Sequence, residues 1–130
     1  MPLHASCHCG AVRLDIDGEL PRQLMRCTCS FCTKRGALHA CYEPRQVRVH
    51  APQSAHALYR WNTRMVAHYF CRRCGVATLS NGPLLDSNGD WDGHARRVAV
   101  NARLLDGLDV ETIPVATEHG VPAGPFPSFT

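Results

Sequence analysis

Long apolar runs are missing from this 130-residue sequence. No stretch approaches the roughly 18 apolar residues that a transmembrane helix needs, so a membrane-spanning protein is not expected. The first residues, MPLHASC, contain no apolar run of signal-peptide length, and a cytoplasmic location is the expectation that follows. In a chain without an export signal, the eight cysteines favour metal binding or thiol chemistry over disulfide bonds.

Sustained helical periodicity is also missing, and short strand-like segments take its place. Strands are predicted at residues 11–16, 24–27, 36–42, 47–49, 76–79 and 97–104, and residues 108–113 favour a short strand or an irregular segment. Residues 57–61 and 66–70 are predicted to pair around a turn at Asn62-Thr63. Residues 81–93, rich in Gly, Asn, Asp and Pro, are predicted to be a loop, and residues 121–127 an extended tail. Strands at a spacing of about 8–12 residues, without a repeat or linker, predict a single all-β domain.

Charge and aromatic content are low, and both bear on possible partners. Charged residues make up 19% of the chain, aromatic residues make up 7%, and the formal net charge is +3. Thiolates bound to two zinc ions would bring that charge close to zero, so net charge does not indicate a nucleic-acid partner. The few aromatic residues also argue against a base-stacking surface.

Two outer cysteine pairs lie beside predicted strands, and each pair is followed by a glycine: Cys7 with Cys9, and Cys71 with Cys74. Four thiolates can close a tetrahedral zinc site with bonds of about 2.3 Å, and glycine permits the tight turns such a site needs. A structural zinc ion is therefore predicted. The alternatives are unmetallated thiols or a redox-active Cys-x-x-Cys, but no helix signal follows Cys71 to activate such a motif.

The central triplet Cys27-Thr-Cys29-Ser-Phe-Cys32 can place three thiolates on one zinc ion and leave its fourth position open. An open position accepts an exchangeable ligand, whereas a fourth protein ligand would make the site structural. His8, His39 and Cys41 are the alternatives for that ligand. Zinc held by three thiolates polarises a carbonyl only weakly but favours a bound thiol as its thiolate. The triplet residues are thus predicted to be catalytic, in making or breaking a carbon–sulfur bond.

Residues outside the outer cysteine pairs and the central triplet give weaker indications of function. Asn101 and Arg103, two residues apart on a predicted strand, share a face and could bind a substrate carboxylate, with structural hydrogen bonding as the alternative. Cys41 is predicted to be a buried small apolar residue. Lys34 and Arg35 either attract an anionic thiol or belong to a solvated loop.

Four segments in chain order form a recognisable set: CHCGAV from Cys7, CTCSFC from Cys27, YFCRRCG ending at Gly75, and NARLLDG from Asn101. They resemble the glutathione-dependent formaldehyde-activating enzyme family, which also includes the centromere protein V group, over residues 4–115. The resemblance implies a β-tent zinc-knuckle fold over residues 1–115 with a C-terminal tail at 116–130. It implies a structural zinc ion on the outer cysteines and a reactive one on the triplet. The activity it implies is carbon–sulfur lyase chemistry that joins glutathione and formaldehyde reversibly.

Three functions are weighed on this basis. The first is a zinc-dependent lyase-like enzyme acting on a small thiol and a small aldehyde. The second is a non-catalytic zinc module that binds a macromolecule through its basic residues: Lys34, Arg35, Arg72, Arg73, Arg96 and Arg97. The third is a relative of methionine sulfoxide reductases, in which Cys41 would be the catalytic thiol and the triplet would stay unexplained.

Overall fold

The computed structural model describes residues 2–119, and the predicted tail at 121–127 lies outside them. Within this range the chain forms strands, one short α-helix and three 3₁₀ turns. The strands are β1 (Leu3–Ser6), β2 (Arg13–Ile16), β3 (Leu24–Cys27), β4 (His39–Tyr42), β5 (Val47–His50), β6 (His56–Tyr59), β7 (Ala67–Cys71), β8 (Ala77–Leu85), β9 (Trp91–Asn101) and β10 (Val115–Glu118). Helix α1 spans Ser30–Arg35, and the 3₁₀ turns span Pro44–Gln46, Ala102–Leu104 and Val110–Thr112.

The strands form two sheets, which confirms the predicted all-β fold. The smaller sheet has the order β1-β2-β5, and the larger has the order β10-β3-β4-β9-β8-β7-β6. Neighbouring strands are antiparallel except β10, which runs parallel to β3. No helix within residues 2–119 has the length and apolar character needed to cross a membrane.

The core joins one face of the larger sheet to the smaller sheet. Alternation along β2 buries Leu14 and Ile16 there, as the sequence pattern predicted. Ala40 and Val100 reach the same core from β4 and β9. Because side chains alternate along a strand, their neighbours on β4 and β9 point to the opposite face of the larger sheet. That opposite face carries the candidate site.

The predicted loop at residues 81–93 is wrong over most of its length. Strand β8 continues through Gly82 and Pro83 to Leu85, and β9 begins at Trp91. The two strands form a hairpin with an irregular register between Pro83 and Leu85, which accommodates the proline. Only the short turn between them fits the loop prediction. There, Oδ1 of Asp86 accepts hydrogen bonds from the backbone N–H groups of residues 88 and 90.

Four further elements differ from the prediction. Strand β1 and helix α1 were not predicted, and the six residues of α1 are too few for a clear helical period. The predicted strand at 97–104 ends at Asn101, and residues 102–104 form a 3₁₀ turn. At the other end of the chain, β10 continues past residue 115 into the segment expected to be a tail. The division of the chain at residue 115 stays a prediction.

Candidate metal centres

The four outer cysteines converge on one point although they are far apart in sequence. Their sulfur atoms all lie within 4.8 Å of one another, and the Cys7–Cys9 and Cys9–Cys71 sulfur distances are both 3.7 Å. Four sulfurs in a tetrahedron around zinc lie about 3.8 Å apart, whereas a disulfide would bring two sulfurs to about 2.05 Å. The group therefore has a separation suited to one metal ion, and no disulfide bond joins its members.

Two tight turns aim backbone N–H groups at these sulfurs. The turns place Gly10 and Gly75 at φ of +80°, a left-handed conformation that glycine adopts without strain. The N–H of Val12 donates to Cys7 Sγ at 3.3 Å. Burial opposes ionisation of Cys74, but the N–H groups of Cys9 and Val76 outweigh it and lower the Cys74 pKa to about 6. Such hydrogen bonds stabilise thiolates, the form in which cysteine binds a metal.

The second group comprises the three cysteines of the triplet. Cys27 ends β3, Cys29 is the N-cap of α1, and Cys32 lies in the first turn of that helix. The N–H of Cys29 donates to Cys27 Sγ at 3.4 Å, and the N–H of Cys32 donates to Cys29 Sγ at 3.2 Å. The triplet thus lies on a strand end followed by a capped helix. The three sulfurs lie within 4.8 Å of one another and could hold a metal ion.

None of the three candidate fourth ligands joins this group within residues 2–119. His39 places Nε2 at 3.6 Å from Cys32 Sγ, but it does not approach all three sulfurs. His8 lies in the turn between the outer thiols of the other group. Cys41 lies outside both groups. The triplet thus offers three protein ligands to a metal ion, and the fourth coordination position would be open to an exchangeable ligand.

A polar network that the sequence did not indicate surrounds Cys32. One guanidinium nitrogen of Arg35 lies 3.5 Å from Cys32 Sγ and donates to Ser80 Oγ at 3.2 Å. Ser80 Oγ also lies 2.7 Å from Nδ1 of His68. The guanidinium and the His68 ring both pack against Phe31, at 4.5 and 4.6 Å from its ring centre. Lys34, the other cation of the helix, is exposed. The helix thus directs one of its two cations toward the thiols.

Burial dominates the electrostatics of this region. It raises the pKa of Cys32 to about 12, although the charge of Arg35 opposes the rise. It also lowers the pKa of His39 to about 4 and that of His68 to about 4, with Arg35 adding to both shifts. Both imidazoles are therefore neutral near pH 7. The Cys32 thiol would ionise there only if a further cation, such as a bound metal, stabilised its thiolate.

A cavity of about 360 Å³ opens beside the triplet, on the face of the larger sheet opposite the core. Met25 and Cys27 reach it from β3, and Cys41 reaches it from β4. The prediction that Cys41 is buried is wrong: its side chain is exposed to this cavity because its neighbour Ala40 faces the core.

A second cavity of about 260 Å³ also touches Cys27 and Cys32. Arg26 lines it from β3 and Thr28 lines it just after that strand, whereas Met25 does not. Arg103 lines it from the 3₁₀ turn after β9. The triplet therefore borders both cavities, because Cys27 and Cys32 line each of them.

Asn101 and Arg103 do not share a strand face, because the strand ends at Asn101. Asn101 is 9% exposed, and its amide donates to the Ala77 carbonyl at 2.9 Å. Its side-chain oxygen accepts from the Arg103 backbone N–H at 3.2 Å. Asn101 thus forms structural hydrogen bonds and positions the turn, whereas the exposed Arg103 side chain is available at the second cavity.

Several basic residues weighed for macromolecular binding have partners within the chain. Arg35 contacts Cys32 and Ser80, Arg96 donates to Asn81 Oδ1 at 2.8 Å, and Arg97 forms an ion pair with Glu118 at 3.3 Å. The exposed basic residues of the set are Lys34, Arg72 and Arg73. This distribution gives the macromolecule-binding module no specific support.

The two sheets and the two cysteine groups define a small all-β protein equipped to hold metal ions through thiolates. The sequence profile of the glutathione-dependent formaldehyde-activating enzyme family matches residues 2–107. The chain therefore belongs to this family, as its motifs predicted. It is also similar to a crystal structure of a Rhodobacter sphaeroides protein, with 29% sequence identity and a TM-score of 0.67. That match covers 87% of this chain and 99% of the other.

Proposed function

We propose that the protein is a zinc-dependent carbon–sulfur lyase-like enzyme that joins a small thiol, such as glutathione, to a small aldehyde, such as formaldehyde, and reverses the reaction. The convergence of three cysteine sulfurs beside two cavities carries the proposal. Family membership supports the thiol and aldehyde as substrates. The free cysteines fit a reducing compartment, and we propose a cytoplasmic location on that basis.

Two zinc ions fit the two cysteine groups. The outer group suits a closed structural site, and the triplet suits a site with one exchangeable position. When bound at the triplet, zinc would supply a position where a thiol is held as its thiolate at neutral pH. All-sulfur ligation also favours zinc over the hard cations magnesium and calcium, which prefer oxygen ligands.

The residues around the triplet would position the reactants. Arg35 places positive charge beside Cys32 and would help to hold an additional anionic thiol nearby. His68 and Ser80 line the larger cavity and are hydrogen-bonded to each other. A neutral His68 would accept the hydroxyl proton when the thiol adduct breaks down, with Ser80 as the relay, and would return it in the forward direction.

The second cavity suits the carboxylate of the thiol. Within residues 2–119, the guanidinium groups of Arg26 and Arg103 form no ion pair or hydrogen bond, and both line this cavity beside the triplet. A guanidinium binds a carboxylate through two parallel hydrogen bonds. We therefore assign Arg103 to substrate binding, whereas Asn101 positions the turn that carries it.

Zinc content tests the metal assignment. Elemental analysis of protein purified without chelators should give about two zinc ions per chain, falling to about one in Cys29→Ser. Cys41→Ser, a matched change outside both groups, should retain both ions. One zinc ion in both the wild type and Cys29→Ser would show that the triplet does not hold the metal.

Thiol-dependent turnover tests the reaction. Arg103→Gln should raise the KM for glutathione about tenfold or more, the range for a lost hydrogen bond to a charged group. The KM for 2-mercaptoethanol, which lacks a carboxylate, should change little. Arg22→Gln, at an exposed position away from both cavities, is the control. Absence of thiol-dependent aldehyde turnover across a panel of thiols would overturn the proposal.

A further inference from the structure

The larger cavity is too big for the aldehyde that gives the family its name. Formaldehyde has one carbon and no substituent, whereas a volume of about 360 Å³ lies in the range of about 300–1,000 Å³ typical of small-molecule pockets. The second cavity already offers the cations that a thiol carboxylate requires. The larger cavity therefore has space for a substituent on the other reactant.

The walls of this cavity are predominantly apolar, with contributions from Met25, Trp61, Val66, Pro83, Leu85 and Ala99. Leu85 is 52% exposed, so its side chain is accessible to a ligand in the cavity. The charged groups in the lining have partners: Arg97 pairs with Glu118, and Arg35 contacts Cys32 and Ser80. Arg35 is assigned above to the thiol, so a charged substituent at the apolar walls would lose hydration without gaining a further counter-ion.

The loop at residues 60–66 holds one wall in place. Asn62 and Arg64 have φ of 54° and 63°, values that residues other than glycine adopt uncommonly. Hydrogen bonds to backbone carbonyls secure the conformation, from Arg60 to Arg64 at 3.0 Å and from Arg96 to Met65 at 3.4 Å. The wall is therefore formed before a ligand binds, which reduces the entropy lost on binding.

We propose that this cavity binds the apolar substituent of the electrophile, so that the preferred substrate is an aliphatic or aromatic aldehyde. The inference rests on the function proposed above and specifies its substrate class. In the reaction, the thiol sulfur forms a bond to the carbonyl carbon, and the carbonyl π electrons move to oxygen. That oxygen takes up the proton lost by the thiol, so the addition needs no oxidant or reductant.

An aldehyde series tests the substrate class. Rates of glutathione addition above the uncatalysed reaction are measured with zinc-loaded protein for formaldehyde, acetaldehyde, propanal and butanal, each corrected for hydration. Burial of each added methylene should raise kcat/KM roughly fourfold, the factor that corresponds to about 0.8 kcal/mol. A value of kcat/KM that stays level or falls from formaldehyde to butanal would overturn the inference.

Two adjacent leucines on β8 provide a matched pair of variants. Leu85 lines the cavity, whereas Leu84 does not, and both are about half exposed. Leu85→Asn should lower the butanal-to-formaldehyde ratio of kcat/KM by roughly threefold or more, since apolar contact with the substituent is lost. Leu84→Asn should leave that ratio unchanged. Equal effects of the two substitutions would count against a substituent site at this wall.

A binding measurement separates this inference from the proposed reaction. Benzyl alcohol, an unreactive probe with an aromatic group, is titrated into the zinc-loaded protein and followed by NMR. Saturable binding that Leu85→Asn weakens and Leu84→Asn does not would support the apolar site, even if no aldehyde were turned over. In that case the lack of turnover would count against the proposed reaction alone. Absence of saturable binding would overturn the substituent site.

Discussion

His68 has a protonation state set by its surroundings. Burial, Arg35 and His39 lower its pKa to about 4 from an ordinary value of 6.5. On acidification, His68 therefore takes up its proton in the unfolded chain before it does so in the folded protein. The contribution of His68 to the free energy of unfolding is complete above pH 6.5 and falls as the pH drops toward 4. Between pH 6.5 and 5, allowing for partial exposure, wild type should lose about 1 kcal/mol more than His68→Gln.

Urea denaturation at several pH values, with zinc in excess, measures this difference. His94→Gln, on the exposed β8–β9 hairpin, is the control and should follow the pH dependence of wild type. If His68→Gln and wild type lost stability in parallel, His68 would not be held neutral by the fold.

Arg35 and Lys34 are adjacent cations with different surroundings. Arg35 contacts Cys32 Sγ, whereas Lys34 is exposed. Loss of an interaction that supports a metal ligand typically lowers metal affinity about 10–100-fold, so Arg35→Gln should weaken zinc binding at the triplet by that amount. Competition with a chelator measures the affinity, and Lys34→Gln should behave as wild type. Similar affinities for the two variants would exclude a role for the Arg35 contact.

At the scale of elements, β8 lies close against the loop at residues 60–66. A β-carbon on Gly82 would lie 2.9 Å from Cγ2 of Val66, closer than side chains tolerate. Gly82→Ala should therefore destabilise the protein by about 1–3 kcal/mol. Adding Val66→Ala removes the clashing methyl groups and should restore much of that loss, as measured by urea denaturation. An unchanged free energy of unfolding in Gly82→Ala would show that this loop adjusts freely.

The elements also show where local sequence reasoning reaches its limit. Alternation predicted β2 because Leu14 and Ile16 both face a core that the pattern encodes directly. It failed on β8 because Asn81, Gly82 and Pro83 are residue types typical of turns. Their strand conformation comes from pairing with β9 in a hairpin, a contact that local composition does not reveal. Helix α1 is bounded by its N-cap Cys29 and its C-cap Gly36, and it is too short to show a helical periodicity of apolar residues.

At the scale of the molecule, the two cysteine groups should differ in what they stabilise. The outer group joins two distant parts of the chain, and its members Cys7 and Cys71 lie in the core. Cys9 is exposed, so Cys9→Ser removes a ligand with little loss of packing, yet it should cost several kcal/mol through the lost metal. Cys29→Ser should lose its metal with a much smaller change in melting temperature, measured by circular dichroism. Equal destabilisation would show that both metals are structural.

The whole site was only partly predictable from the sequence. Cysteine spacing predicted the triplet and each outer pair, because ligands a few residues apart can reach one ion whatever the rest of the fold. The convergence of the two outer pairs depends on the fold itself. It could not indicate His68 or Ser80, which reach the triplet from strands far along the chain. The two cavities depend on the order of strands in the larger sheet. That order comes from long-range pairing.

The parallel pairing of β3 with β10 has a consequence for synthesis on the ribosome. The N–H of Thr28, within the triplet, donates to the Glu118 carbonyl at 2.9 Å. The outer cysteines are all present once Cys74 has emerged, whereas β3 gains its partner only when β10 (Val115–Glu118) has been made. A nascent chain should therefore capture its first zinc ion early, and the triplet should reach its final geometry only near the end of translation. Metal loading would then follow a fixed order set by the topology of the sheet.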